Sequence, residues 1–141
     1  MARADFYLIA KPRFREQPLL LVCELARKAS DAGMATLVLA RDAAQAEQLD
    51  DLLWSFDPDA FVPHQIAGAE IDEEEATVLI ATPDLDVALR PLVINLRDTA
   101  VEGEFDRVLE VVPADESARA PSRERWKQYA ARGLDVSKHD M

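Results

Sequence analysis

Glycine is scarce in this chain of 141 residues, and its placement argues against the common nucleotide-binding loops. A phosphate-binding α/β sheet usually carries a glycine-rich turn between a strand and the helix that follows it. Here the link after the first predicted strand is Lys11-Pro12-Arg13-Phe14. The sequence therefore predicts no P-loop, and Lys11, Arg13 and Arg15 are more simply a solvated basic turn than a phosphate site. The four glycines are Gly33, Gly68, Gly103 and Gly133.

Cysteine and histidine are also few, which leaves little material for a disulfide framework, a metal site or catalysis. The single cysteine, Cys23, falls on the apolar face of a predicted helix, as a small core residue does. His64 and His139 are far apart in sequence, and no Cys or His pair has metal-ligand spacing. We therefore expect no catalytic residue, no cofactor and no metal.

Long apolar runs are missing as well. The longest, Leu19 to Cys23, is too short to cross a bilayer. The first residues, with Asp5 where an apolar stretch would begin, do not resemble a signal peptide. Together with the single cysteine, these features predict a soluble protein of a reducing compartment, the cytoplasm, with no membrane partner.

Basic residues are fewer than acidic ones: the sequence contains 16 Lys and Arg and 27 Asp and Glu, which gives a formal net charge of −11. Non-specific binding to nucleic acid depends on Lys and Arg contacts that release counterions from phosphates. The composition therefore disfavours direct duplex binding and predicts that nucleic acid is met only indirectly. The acidic run from Glu70 to Glu75 lacks the ligand spacing and turn glycine of a calcium loop, so it is interpreted as a solvated loop.

What the sequence does contain is an alternation of apolar strands and amphipathic helices. Helical spacing begins at Pro18 and ends near Gly33, and Asp42 with Gln45 can cap the next helix. This order predicts one domain over residues 1–141, an α/β fold of three layers with a mostly parallel, doubly wound sheet. Residues 135–141 are expected to form a frayed tail. Strands are predicted at 5–10, 35–40, 77–82, 91–96 and 107–112, a short strand near 61–62, a crossover helix at 83–89 and a last helix at 122–132.

Three aromatic residues lie close together in and just before the segment from Ser55 to His64, which contains Pro58 and Pro63. Trp54, Phe56 and Phe61 can close the bottom of the core, or they can be presented to a partner, since large aromatics dominate interface energies. The sequence alone leaves both interpretations open.

The last helix carries a cationic face on a strongly acidic protein. At about 100° per residue, Arg119, Arg123, Trp126 and Lys127 fall on one side of it. This is either an ordinary amphipathic helix with Trp126 in the core, or a pocket for an acidic peptide with an apolar anchor. Pro121 fits the first turn of a helix but would remove a hydrogen bond deeper in it, so the sequence does not define where the helix starts or whether Arg119 lies in it.

Several runs of residues together resemble the chi subunit of bacterial DNA polymerase III. The most specific is Leu49-Asp50-Asp51-Leu52-Leu53-Trp54 followed by Phe61-Val62-Pro63-His64. Supporting matches are Phe6-Tyr7-Leu8, Leu21-Val22-Cys23-Glu24-Leu25-Ala26 and Arg123-Glu124-Arg125-Trp126-Lys127-Gln128-Tyr129. The resemblance covers nearly the whole chain, and it implies a nucleotide-binding-like fold without a P-loop.

The resemblance also implies a non-catalytic replication adaptor with two protein partners. One is the psi subunit of the clamp loader, and the other is the acidic C-terminal tail of single-stranded DNA-binding protein. By position, the psi contact would consist of Phe61, Val62, Pro63 and His64, and the tail pocket of Trp54, Val112, Arg119, Arg123, Trp126 and Lys127. The alternative, from a different class, is a small cytoplasmic α/β enzyme of unknown reaction that uses His64.

Overall fold

A parallel β-sheet forms the centre of the molecule in a computed structural model that describes residues 2–68 and 76–141. The strands of this part of the chain are β1 (Arg3–Leu8), β2 (Thr36–Leu39), β3 (His64–Ile66), β4 (Val78–Ala81), β5 (Leu92–Asn95), β6 (Arg107–Val112) and β7 (Asp135–Asp140). They lie in the order β3-β4-β2-β5-β6-β1-β7, and each neighbouring pair is parallel. The α/β fold class predicted from the sequence is confirmed. The acidic segment from Glu70 to Glu75 lies outside the described residues.

Helices cover both faces of this sheet. The described helices are α1 (Pro12–Glu16), α2 (Pro18–Asp31), α3 (Ala43–Ser55) and α4 (Arg119–Ala131), with a 3-10 turn at Glu116–Ala118. Successive residues of β1 point to opposite faces, which separates two cores. Tyr7 joins the core beneath α2 and α3, whereas Phe6 joins the core beneath α4.

The start signal predicted for α3 and the end signal predicted for α2 are both present in the structure. At the start of α3, the Gln45 N–H donates to Asp42 Oδ1 over 2.7 Å, which satisfies one of the free amides of the first turn. After α2, Gly33 adopts a φ of 71°, where a side chain would be strained. Both signals therefore confirm the local predictions made from sequence.

The carboxyl-terminal segment is an ordered strand, so the prediction of a frayed tail at 135–141 is wrong. β7 pairs with β1 along its whole length, from Arg3 opposite Asp135 to Leu8 opposite Asp140. His139 Nε2 also lies 2.9 Å from an oxygen of the buried Asp5. A polar sequence suits this strand because it lies at the edge of the sheet, where one side remains open to solvent.

The last helix begins three residues earlier than its predicted start. Pro121 is the third residue of α4, within the first turn, where amide groups have no acceptor inside the helix. The missing N–H of proline therefore removes no hydrogen bond, and Arg119 is helical.

Three smaller predictions differ from the structure. Residues 83–89 form no helix: after the Leu85 N–H donates to the Thr82 carbonyl, the chain extends, and Val87 and Leu89 pack onto the core beneath α4. The basic link after β1 contains the short helix α1, which begins at Pro12. The short strand expected near 61–62 begins at His64 instead.

Candidate protein-interaction sites

A cavity of about 550 Å³ opens where β1 and β6 end, at the sheet edge where α/β proteins usually bind ligands. The two strands supply an apolar floor, and α1, α4 and β7 supply the walls. The apolar part of the lining includes Phe6, Leu8, Ile9, Val112, Pro113 and Trp126. The cavity therefore combines an apolar base with walls from segments that are far apart in sequence.

The walls of this cavity are positively charged. Arg15 of α1, Arg119 and Arg123 of α4, and Lys138 of β7 all line it. Among the described residues, no carboxylate contributes to the lining. All four cations are exposed to solvent and are free of ion pairs within the described part of the chain. On a protein of net charge −11, these walls concentrate positive charge, which attracts anionic groups.

Trp126 gives the cavity an aromatic wall. Its ring lies 5.0 Å from the ring of Phe6, with an angle of 47° between the two planes. Trp126 is half-buried, so part of its surface remains available to a ligand. An incoming aromatic or aliphatic side chain would find both packing surface and adjacent cations.

A buried polar network fixes the helix that carries these residues. Glu110 of β6 is fully buried and accepts hydrogen bonds from Arg125 Nε (2.9 Å), Tyr129 Oη (2.7 Å) and Asn95 Nδ2 (2.8 Å). Burial raises the pKa of the Glu110 carboxyl, and these three donors oppose that rise. Tyr129 Oη in turn accepts the Val101 N–H over 2.9 Å. Because Arg125 and Tyr129 face inward, Arg119, Arg123 and Trp126 face the cavity.

The structure brings together four of the six residues expected in a tail pocket. Val112, Arg119, Arg123 and Trp126 line the cavity, whereas Lys127 and Trp54 do not. Lys127 is exposed on α4 outside the lining. Trp54 lies in α3 and contacts Phe61 and His64 instead.

Two lining cations are not anticipated by the sequence. Arg15 lies in the unpredicted helix α1, and Lys138 lies in the segment expected to fray. The register that sets Lys138 beside Phe6 depends on the pairing of β7 with β1, which sequence spacing does not reveal. The only sequence signal at Arg15 is the cluster of basic residues after the first strand.

A second surface is built on two exposed aromatic rings. Trp54 is 63% exposed and Phe61 is 71% exposed, with their ring centroids 6.4 Å apart. Phe56, the third aromatic residue of this segment, is half-buried and packs against the core. Exposed rings of this size lose unfavourable contact with water when a partner covers them. Trp54 and Phe61 are therefore accessible to a partner, whereas Phe56 is part of the core packing.

His64 fixes the loop that presents Phe61. Its side chain is fully buried, with Nδ1 2.7 Å from the Val62 carbonyl oxygen and Nε2 3.3 Å from Asp50 Oδ1. The ring of Trp54 lies 4.7 Å away. Of the four residues expected at the psi contact, Phe61 is exposed and Pro63 is half-buried, while Val62 and His64 are buried. His64 therefore supports the loop from inside the protein, with its side chain closed off from solvent.

Metal clusters and membrane-spanning helices are both absent from the described residues. No group of three or more His, Cys, Asp or Glu side chains there is arranged to hold a metal ion. Likewise, none of the described helices has the length and apolar character needed to cross a membrane.

Several solved structures share this fold. The structure of T4 UvsW matches with a TM-score of 0.67 and 10% identity, covering 99% of this chain and 41% of that one. The C-terminal domain of the DEAD-box protein Dbp5 matches with a TM-score of 0.65 and 13% identity, covering 99% and 91% of the two chains. At such identities the likeness establishes the fold alone, in agreement with the nucleotide-binding-like architecture expected from sequence.

Sequence relatives identify the family. The family model described as DNA polymerase III chi subunit, HolC, matches residues 1–137. DNA polymerase III subunit chi of Pseudomonas aeruginosa is 35% identical over 145 residues, covering 100% of this chain and 98% of that protein. The Escherichia coli subunit chi is 34% identical over 120 residues, covering 83% and 81%. The chain therefore belongs to the family of DNA polymerase III chi subunits, accessory components of the replication machinery.

Proposed function

We propose that this chain is a non-catalytic adaptor of the cytoplasmic replication machinery, which pairs with the psi subunit of the clamp loader and binds the acidic C-terminal tail of single-stranded DNA-binding protein. Its contact with nucleic acid is then indirect, through the protein that coats the single strand. The observation that carries the proposal is the cationic, aromatic-lined cavity on an otherwise acidic protein. Family membership supports the accessory role in replication.

The cavity suits a peptide that ends in an aromatic residue preceded by acids. The terminal side chain would pack against Trp126 and the apolar floor, and burying a side chain of that size contributes about 1.5–3 kcal/mol. The terminal carboxylate would meet Arg123, whose guanidinium can donate two parallel hydrogen bonds to it. Arg119, Arg15 and Lys138 would attract the preceding acids.

A peptide titration tests this assignment. The probe is a labelled peptide ending in several acidic residues and Pro-Phe with a free carboxylate, titrated into the parent protein at about 50 mM and about 500 mM salt. We expect Arg123→Ala to weaken binding about tenfold, or ~1.4 kcal/mol. Binding should also weaken with salt, because exposed charges are screened.

Lys127→Ala is the matched control. Lys127 lies one turn from Arg123 on the same exposed helix but outside the cavity lining, so its removal should change affinity less than about twofold. Equal losses in the two variants would mean that general attraction to α4, and not this cavity, holds the peptide. Binding that is insensitive to salt would exclude the cationic walls as the recognition element.

The exposed aromatic surface supports pairing with psi. Phe61→Ala should weaken association with psi at least ~30-fold, because a central aromatic anchor contributes roughly 2 kcal/mol or more. The midpoint of thermal unfolding should stay within a few degrees of the parent value, since Phe61 is exposed. A large loss of stability with intact association would show that Phe61 is a core residue instead.

The proposal also predicts that the protein carries out no chemistry of its own. The link between β1 and α2 has no glycine to cradle a phosphate. Purified protein should hydrolyse neither ATP nor GTP, and neither nucleotide should shift its melting temperature. Saturable binding of either one at micromolar concentration would contradict the adaptor function.

A further inference from the structure

Charge is distributed unevenly along this chain. The 48 residues from Asp42 to Leu89 contain thirteen Asp or Glu and no Lys or Arg. This stretch includes α3, the loop that carries Phe61, and the edge strand β3. The aromatic surface of Trp54 and Phe61 is therefore built from the most acidic part of the sequence.

The helix α3 aligns its acids with the exposed tryptophan. Glu47, Asp50 and Asp51 precede Trp54 by seven, four and three residues, so all lie within about 60° of it around the helix axis. The buried face of α3, formed by Ala46, Leu49 and Leu53, lies on another side. Glu47, Asp50 and Asp51 thus lie on the same side of α3 as Trp54.

Several of these carboxylates lack a counter-charge. Asp57 is paired with Arg27 at 2.6 Å, and Asp50 lies against His64. Glu47, Asp51 and Asp59 are exposed, and within the described part of the chain no basic side chain forms an ion pair with them. The segments that carry the two exposed rings therefore also carry unneutralised negative charge.

We infer that the Trp54–Phe61 surface receives a cationic segment of psi, in which an apolar side chain covers the two rings and flanking Lys or Arg residues meet Asp51 and Asp59. This inference rests on the proposed pairing with psi and adds the charge of the segment that psi contributes. A partner of like charge would bring carboxylates against carboxylates, which weakens binding and slows encounter. An acidic peptide and a nucleic acid are disfavoured at this surface for that reason.

The protein then has two recognition sites of opposite charge. The cavity at the end of β1 has cationic walls, whereas the surface at α3 and β3 is anionic. Each partner is thereby attracted to its own site and repelled from the other. Specificity of this kind comes as much from repulsion of the wrong partner as from contacts with the right one.

The test compares three variants against psi from the same genome. Asp51→Asn/Asp59→Asn removes two exposed carboxylates, one three residues before Trp54 on α3 and one two residues before Phe61. Glu102→Gln/Glu104→Gln removes two exposed carboxylates elsewhere, with the same change in net charge. Phe61→Ala removes the anchor itself. Association with full-length psi is measured by calorimetry at about 50 mM and about 500 mM salt.

We expect Asp51→Asn/Asp59→Asn to weaken association about fivefold at the lower salt concentration and hardly at all at the higher one. The Glu102→Gln/Glu104→Gln control should bind like the parent at both concentrations. If Phe61→Ala weakens association but Asp51→Asn/Asp59→Asn does not, psi binds here without a cationic segment, and the inference is overturned while the pairing stands. If Phe61→Ala also binds like the parent, the proposed psi site and the inference fall together.

Discussion

The buried hydroxyl of Tyr129 provides the strictest test of how the cavity is held in shape. Tyr129→Phe removes a hydroxyl that donates to Glu110 over 2.7 Å and accepts from the Val101 N–H over 2.9 Å. A hydrogen bond to a charged group contributes about 1.5–3 kcal/mol, and a buried N–H left without an acceptor costs about 1–3 kcal/mol. The two losses are coupled, so we expect a decrease of roughly 3 kcal/mol in the free energy of unfolding.

Urea denaturation followed by circular dichroism measures this change, with Tyr7→Phe as the control. The Tyr7 hydroxyl accepts one hydrogen bond, from Arg107 Nη2 at 3.0 Å, and the Arg107 side chain is partly exposed. Water can replace that bond, so Tyr7→Phe should cost less than about 1 kcal/mol. If Tyr129→Phe costs no more than Tyr7→Phe, the network around Glu110 does not anchor α4.

Three further predictions concern other parts of the fold. Cys23 is fully buried and burial raises the pKa of its thiol to about 12, so a thiol reagent should label it in denaturant but hardly in the native protein. Burial alone would raise the pKa of Asp5, but hydrogen bonds led by that from His139 hold it below its usual 3.8. The ionised Asp5 carboxylate therefore stabilises the fold at pH values above 3.8. Urea titrations should show that Asp5→Asn lowers the free energy of unfolding by about 2 kcal/mol near neutral pH, and that this loss becomes smaller below pH ~3.8. Gly103 has a φ of 104°, and a Cβ there would lie 2.9 Å from Leu89 Cδ1. Gly103→Ala should therefore lower the free energy of unfolding by about 1–2 kcal/mol, measured by thermal melts. An unchanged melting midpoint would refute this.

The sequence predicted those elements whose signals are local. β6 occupies residues 107–112 as expected, because a strand buried in a parallel sheet is a continuous apolar run. The cap at Asp42 and the stop at Gly33 depend on neighbouring residues only. The strand β7 could not be found in this way, since its residues are polar and only pairing with β1 makes them a strand.

The candidate site residues show the same contrast between local signals and tertiary structure. Arg119, Arg123 and Trp126 share a helix face, so their proximity follows from spacing within one element. Arg15 and Lys138 join them only because α1 and β7 both meet the end of β1, which is a property of the topology. The inward-facing Arg125 is indistinguishable from its exposed neighbours by residue type, and its partner Glu110 is fifteen residues away on β6.

The strand order also separates Trp54 from the cavity that Trp126 lines. Trp54 contacts His64 at the start of β3, the edge strand, whereas Trp126 packs on Phe6 of β1. Five strand intervals separate β3 from β1, and at about 4.8 Å each this amounts to roughly 24 Å across the sheet. A single terminal aromatic side chain spans only a fraction of that distance, so it cannot pack against both tryptophans at once. The same separation leaves room for a second protein at the cationic cavity when one is bound to the Trp54–Phe61 surface, as the proposed adaptor function requires.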